Sequence, residues 1–238
     1  MNCLIVAAGQ GTRLREKGES KPLIRINGVP LIERVIERAR SVGVDHFFVV
    51  SGYRGDELRA ELDTLSAQQG IRITHIVNEN WDRSNGVSVL KAKPYLDAPF
   101  LLSMCDHLVD PDIIHSLIAA PIEPDTVTLG VDFNVTNPLN DLDDVTRVRC
   151  FNGKIVRVGK LLRDFDALDT GLFLCAPIIF KALEVSQSEG DDSLSGAINV
   201  LARWNKARTF DIKERLWIDV DDPVAFKKAE DLLEAGRL

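Results

Sequence analysis

Gly9, Gly11, Arg13 and Lys21 stand close together in "VAAGQGTRLREKGESKPL", and their types and spacing suit the grip of a phosphate. The apolar run "CLIVAA" reads straight into the glycines. Gly9 and Gly11 let the chain turn without side chains, so that backbone N–H groups can close around an anion. Arg13 adds a forked cation, and Lys21 a point charge fixed by Pro22. Neither common nucleotide fingerprint fits: the GK[ST] ending of a Walker loop is missing, and the third glycine of G-x-G-x-x-G would fall on Leu14. Read alone, the two glycines also serve as a plain connection from strand to helix. The other chemical candidates are carboxylates. Asp106 follows the apolar run "PFLLSMC", at the carboxyl end of a strand, where open parallel sheets bind ligands. Capping or loop stabilisation is its other reading. Asp219 and Asp221 in "WIDVDDPVAF" alternate, so they would share one side of a strand. Asp222 reads as the N-cap ahead of Pro223, and His107 as a loop residue.

These residues are far apart in the chain, and the elements between them must bring them together. "CLIVAA" is a strand buried on both faces of a parallel sheet. Pro30 opens a helix with Leu31, Ile32, Val35, Ile36 and Ala39 on its apolar period, and Gly43 ends it. "HFFVV" is the next strand, residues 56–69 a helix, "IRITHIV" a strand, and a third helix starts near Asn85 or Gly86. "PFLLSMC" follows, then a helix capped by Asp110, then the strand "TVTLGV". The alternation implies right-handed crossovers and a sheet covered by helices. From Val145 to Val158 the pattern becomes two-residue alternation around Asn152-Gly153, a hairpin. The expected fold is α/β: a Rossmann-like three-layer sandwich with a mainly parallel central sheet, one unit over 1–238, with 134–170 as an inserted antiparallel flap.

Composition limits what the site can serve. The 238 residues are 45% hydrophobic and 27% charged, ordinary for a globular protein able to bury a large core. A net charge of -7 argues against a nucleic-acid groove. Any anionic ligand must meet a local cationic cluster or a metal. The four cysteines, Cys3, Cys105, Cys150 and Cys175, stand singly in or beside apolar runs and read as buried free thiols. With no basic leader and no run long enough to cross a bilayer, the expectation is a soluble, cytoplasmic protein.

Residues 6–23 resemble the signature of the sugar-phosphate nucleotidyltransferases, a glycine-rich "AAGxGTRL" followed after a variable loop by "KPL". Ser20 stands where many members have proline. The resemblance implies the nucleotide-diphospho-sugar transferase type of fold. It also implies that Ala7, Ala8, Gly9, Gly11 and Thr12 wrap the triphosphate of a nucleotide while Arg13 and Lys21 neutralise it, with Asp106 completing the catalytic set. A Mg2+ ion is implied on Asp106 and a C-terminal aspartate, Asp221 first and Asp219 second. "NENWDRSNGVSVLKA" resembles the segment over the base, with Asn85, Gly86 and Ser88 at its polar positions; a capped helix start at Ser84 or Asn85 explains the same pattern. Residues 140–175 resemble the acceptor side of cytidylyltransferases that act on phosphorylated alcohols, notably the CTP:inositol-1-phosphate enzymes. There Asp144 and Thr146 match a pair beside the acceptor, Lys160 a phosphate-binding lysine, and Asp169, Thr170 and Gly171 a turn lining the polyol. Arg147 stands where lysine is more usual, and Ser193 and Ser195 would complete the wall.

The implied partners are CTP and a phosphorylated polyol. Phosphocholine, a sugar 1-phosphate, a molybdopterin or a methylerythritol phosphate remain open as acceptors. Relatives are often fused to a membrane-embedded phosphatidyltransferase-like half, and a homodimer is admitted. A nucleotide sensor would lack a metal carboxylate, whereas candidates stand at both positions. A nicotinamide site would want a carboxylate at the tip of the second strand, where "VVSGYRG" has none.

Overall fold

The computed structural model describes residues 1–121 and 123–238. In chain order the elements are β1 (Asn2–Ala7), β2 (Arg25–Ile26), β3 (Val29–Pro30), α1 (Leu31–Ser41), β4 (His46–Ser51), α2 (Gly55–Gln69), β5 (Arg72–Val77), α3 (Asn85–Lys91), β6 (Phe100–Met104), β7 (His107–Val109) and α4 (Pro111–Ala119). They continue with β8 (Val127–Asp132), β9 (Arg147–Phe151), β10 (Lys154–Gly159), β11 (Ala167–Cys175), α5 (Ile178–Ser188), α6 (Leu194–Arg203), β12 (Ala207–Asp211), β13 (Trp217–Asp219) and α7 (Pro223–Glu234).

A nine-stranded sheet runs β5-β4-β1-β6-β11-β8-β12-β10-β9. Its first four strands are parallel, as βαβ crossovers require. From β11 onward the sheet is mixed, because β11 enters antiparallel to both β6 and β8. β1 shows why the layers form. Cys3, Ile5 and Ala7 point into one core, where they meet apolar residues of α1, α2, α4 and α7. Leu4, Val6 and Ala8 point into the other, against α3, α5 and α6. Side chains alternate across a strand, so a continuous apolar run feeds both layers at once.

The hairpin turns at Asn152 and Gly153, both with positive φ (49° and 72°), the backbone a two-residue turn of this twist demands. It is continuous with the main sheet and does not stand apart as a flap. Lys154 pairs with Arg208 of β12, and the start of β9 pairs with Ala167 and Leu168 of β11. Asn199 of α6 also accepts from the Val158 N–H and donates to its carbonyl, at 2.9 and 3.0 Å.

Two irregular places position the site. The pairing of β11 with β8 shifts between Asp169 and Phe173, around Gly171 at φ 71°. Such a bulge re-aims side chains. At the far end of the chain, β13 pairs antiparallel with β7 and sets Asp219 opposite His107. The following turn ends in Asp222, whose Oδ1 accepts from the N–H groups of Val224 and Ala225 at 2.7 and 2.8 Å and caps α7.

Candidate active site

A cavity of about 330 Å³ opens at the carboxyl ends of β1 and β6. On one wall stand Gly9, Gly11 and Lys21. Gly11 has φ 61°, and a Cβ there would run into the Lys21 side chain, so the glycine is what lets Lys21 lie across the loop. Lys21 is buried, and its ammonium donates to both Asp106 Oδ2 and Asp221 Oδ1. Burial alone would lower its pKa; the fields of Asp106, Asp221 and Asp219 outweigh that and raise it, so it stays charged.

Arg13 lies beside this cluster. Its Nη2 bonds Asp221 Oδ2 and lies 2.8 Å from Asp144 Oδ2. The other oxygen of Asp144 accepts from Lys160 Nζ at 2.5 Å. One carboxylate therefore joins a cation of the N-terminal loop to a cation of the hairpin. Across the cavity, Asp169 Oδ1 accepts from the Gly171 N–H at 2.7 Å. Burial pushes Asp169 up to about 6, against the pull of that bond and of His107.

His107, read from the sequence as a loop residue, begins β7 and faces the carboxylates. Its Nε2 is 3.7 Å from Asp106 Oδ1 and 3.4 Å from Asp219 Oδ2, while Nδ1 lies 2.8 Å from the Thr170 carbonyl. Burial would lower its pKa, but Asp219 first and then Asp106 and Thr170 push it up to about 10. Asp219 in turn is held well below the usual carboxylate range: its burial is outweighed by His107, then by Lys21 and Arg13. Asp221 is pushed the other way, by burial and by the charges of Asp219 and Asp106.

Ligand atoms of Asp106, His107 and Asp219 all lie within 4.8 Å of one another, close enough to share one ion. Asp219 Oδ1 is buried with no hydrogen-bond partner, an orphan acceptor that a cation would satisfy. Two carboxylates with a ring nitrogen beside them are donors that could hold a divalent cation. A neighbouring residue the sequence did not signal, Asn140, takes the Asp219 N–H on its Oδ1 at 2.9 Å. Nothing in "NPLND" marks that role, since it depends on where β13 docks.

Of the anticipated residues, Gly9, Gly11, Lys21, Asn85, Asp106, Asp144, Thr146, Lys160, Asp169, Gly171, Asp219 and Asp221 line the cavity, and Arg13 borders it. Several side chains do not reach it. Ala7 and Ala8 are buried in the two cores, and Thr12 is exposed on the loop. Gly86 lies against the backbone of Asp192 and Ser193, where a helix-packing glycine is required. Ser88 is buried and accepts from Asn78 Nδ2 at 2.9 Å. Thr170 is spent on the Gly130 carbonyl at 2.8 Å. Ser193 caps α6 by accepting from the Gly196 N–H at 3.0 Å, and Ser195 lines the cavity in its place.

The family model of the MobA-like NTP transferase domain matches residues 3–153, a span that holds the glycine loop, Lys21, Asp106 and Asp144. The chain belongs to this family. As a nucleotidyltransferase it is similar to the bifunctional IPC transferase and DIPP synthase of Rubrobacter xylanophilus, 34% identical over 232 residues that cover 96% of this chain and 51% of that protein. The protein of the same name from Thermococcus kodakarensis is 32% identical over 237 residues, covering 97% of this chain and 50% of that one. The nucleotidyltransferase chain thus spans about half the length of these curated relatives. Among solved structures, the inositol-1-phosphate CTP transferase from T. maritima superposes with a TM-score of 0.87 at 24% identity, over 98% of this chain and 94% of that one. UDP-glucose pyrophosphorylase complexed with UDP-glucose gives 0.80 at 16%, over 99% of each chain. At these identities the likeness is one of fold, and that fold is the nucleotide-diphospho-sugar transferase type. Among the described residues no helix is long and apolar enough to cross a membrane.

Proposed function

We propose that this nucleotidyltransferase moves the cytidylyl group of CTP onto a phosphorylated alcohol, inositol 1-phosphate in first place, giving CDP-inositol and pyrophosphate. The observation that carries the reading is the division of one cavity into two chemical halves: Gly9, Gly11, Arg13 and Lys21 on one side, and Thr146, Lys160 and Asp169 on the other, joined through Asp144. The first half suits a triphosphate. The second offers one cation for a phosphate and several polar groups for hydroxyls. The names of the relatives, which carry an IPC transferase activity, support the same acceptor.

In this reaction an oxygen of the acceptor phosphate attacks the α-phosphorus in line, the bond to the bridging oxygen of the β-phosphate breaks, and pyrophosphate leaves. A phosphate monoester is mostly ionised at neutral pH, its second pKa being about 6, so no strong general base is required. What remains is to hold two anions together, a matter of positioning and electrostatics. Lys21 and Arg13 screen the triphosphate and the charge that grows on the leaving pyrophosphate. Lys160 holds the acceptor phosphate, and Asp169 accepts from its hydroxyls. Asp106, with Asp219 and Asp221, would hold Mg2+, and the unpartnered Asp219 Oδ1 supports that assignment. When bound, the ion supplies neutralisation of phosphate charge.

Four buried free thiols support a reducing, cytoplasmic setting. The second name these bifunctional relatives carry, DIPP synthase, supports a partner activity that consumes the activated alcohol. The test is pyrophosphate release with each NTP against a panel of phosphorylated alcohols, with and without Mg2+. Turnover that needs CTP, inositol 1-phosphate and Mg2+ is expected. Turnover with UTP or GTP alone, or with sugar 1-phosphates and not inositol 1-phosphate, would overturn the reading.

A further inference from the structure

We infer that Arg147 is a positioning residue for the acceptor half: its guanidinium ties the chain at Leu142 to the chain at Leu162 and thereby fixes Asp144 and Lys160 relative to each other. The inference rests on the acceptor reading given above. Arg147 opens β9, where its backbone sits between Gly159 of β10 and Leu168 of β11. From there the side chain reaches both segments that carry acceptor groups. Nη1 donates to the Leu162 carbonyl and Nη2 to the Leu142 carbonyl, each at 3.0 Å. The guanidinium also stacks over the Phe165 ring, 4.9 Å from its centroid.

Those contacts matter because the β9–β10 ladder ends at the Arg147–Gly159 pair, short of both Asp144 and Lys160. The Lys160–Asp144 ion pair links them directly, but its side chains are 54% and 30% exposed, and a pair so open to water holds weakly. Asp144 is moreover shared with Arg13, so a nucleotide that draws Arg13 away changes its partners. Two charge-assisted bonds to fixed carbonyls, with an aromatic face beneath, keep the geometry through that exchange. The fork explains why arginine stands here. Two carbonyls on separate segments and a ring face ask for a planar group with parallel donors, and a lysine ammonium cannot meet all three.

The test compares Arg147→Met and Arg147→Lys with wild type in steady-state kinetics, alone and combined with Lys160→Met. Arg147→Met is expected to raise KM for the acceptor roughly tenfold, the scale of a modest misplacement of binding groups, with KM for CTP and kcat at saturating acceptor within about twofold. Arg147→Lys should fall between. In the Lys160→Met background, where the group being positioned is gone, Arg147→Met should add less than about twofold. An unchanged acceptor KM, a parallel rise in KM for CTP, or effects that simply multiply would overturn the inference. If Arg147→Met does not fold, Phe165→Leu removes the stacking face while keeping an apolar side chain against the core, and must still raise the acceptor KM severalfold. Should wild type turn over a different phosphorylated alcohol, the inositol reading falls, and the same comparison made with that alcohol decides on Arg147.

Discussion

At the scale of single residues, the site is a set of charges that satisfy one another. Lys21 and Arg13, the cations suited to a triphosphate, are bonded to Asp106, Asp221 and Asp144. An incoming phosphate would therefore take over cations that carboxylates now hold, so that Lys21 and Arg13 exchange one anionic partner for another. Asp169 is different, because it is half-buried in the cavity wall without a bonded cation, and its pKa of about 6 lies above the ordinary aspartate value of 3.8. The sign of its effect follows. Between about 3.8 and 6 the folded protein holds a proton that the unfolded chain has lost, so stability falls as pH rises through that window and stays lowered above it. Asp169→Asn, which keeps an oxygen for the Gly171 N–H, should accordingly be more stable than wild type at pH 7.5, with the difference shrinking at pH 4.5. Denaturant melts at the two pH values check this. The same variant should bind acceptor less tightly at pH 7.5, since an amide accepts hydroxyl bonds more weakly than a carboxylate.

At the scale of elements, the decisive pieces are turns. Gly11 takes φ 61° against the Lys21 side chain, and Gly11→Ala adds both a left-handed penalty of about 1–2 kcal/mol and a clash with Lys21. Its expected mark is a KM for CTP raised at least tenfold, with KM for the acceptor nearly unchanged; equal changes in both would say that the loop does not face the nucleotide. Much of this scale was legible in the residues themselves. The Asn152-Gly153 turn, the Asp110 and Asp222 caps and the glycine loop all follow from local chemistry, because each is decided by neighbours in sequence. The bulge in β11 was not legible as such: the resemblance puts Asp169, Thr170 and Gly171 in a turn, whereas they lie inside β11, and only pairing with β8 shows the shift that turns Asp169 inward and Thr170 toward Gly130. His107 was missed for a related reason. A lone histidine carries no periodicity, and its meaning comes from Asp219, brought opposite by β13. Ser88 and Ser193 matched a polar pattern whose bonds are in fact spent on Asn78 and on a helix cap.

At the scale of the whole molecule, the site exists because the last strand docks on the first half of the chain. Trp217 is fully buried in β13, and its Nε1 donates to Asp132 Oδ2 at 2.8 Å. Asp132 also takes the Asn134 N–H on Oδ1 and Asn137 Nδ2 on Oδ2, each at 2.8 Å, so one buried carboxylate gathers the end of β8, the segment leading to Asp144, and the C-terminal strand. The Trp217 ring lies nearly parallel to His107, with centroids 6.1 Å apart. Trp217→Phe keeps most of the apolar contact and removes one donor from Asp132, a loss of about 1–3 kcal/mol for a buried group left short of a partner. In a chain of this length that is a fall in Tm of about 2–12 °C. The local consequence is the sharper one. With β13 less firmly set, Asp219 and His107 lose their register, so kcat should fall further than the change in folded fraction explains. Turnover that simply tracks the folded fraction would mean the network holds the fold alone and leaves the site indifferent to it.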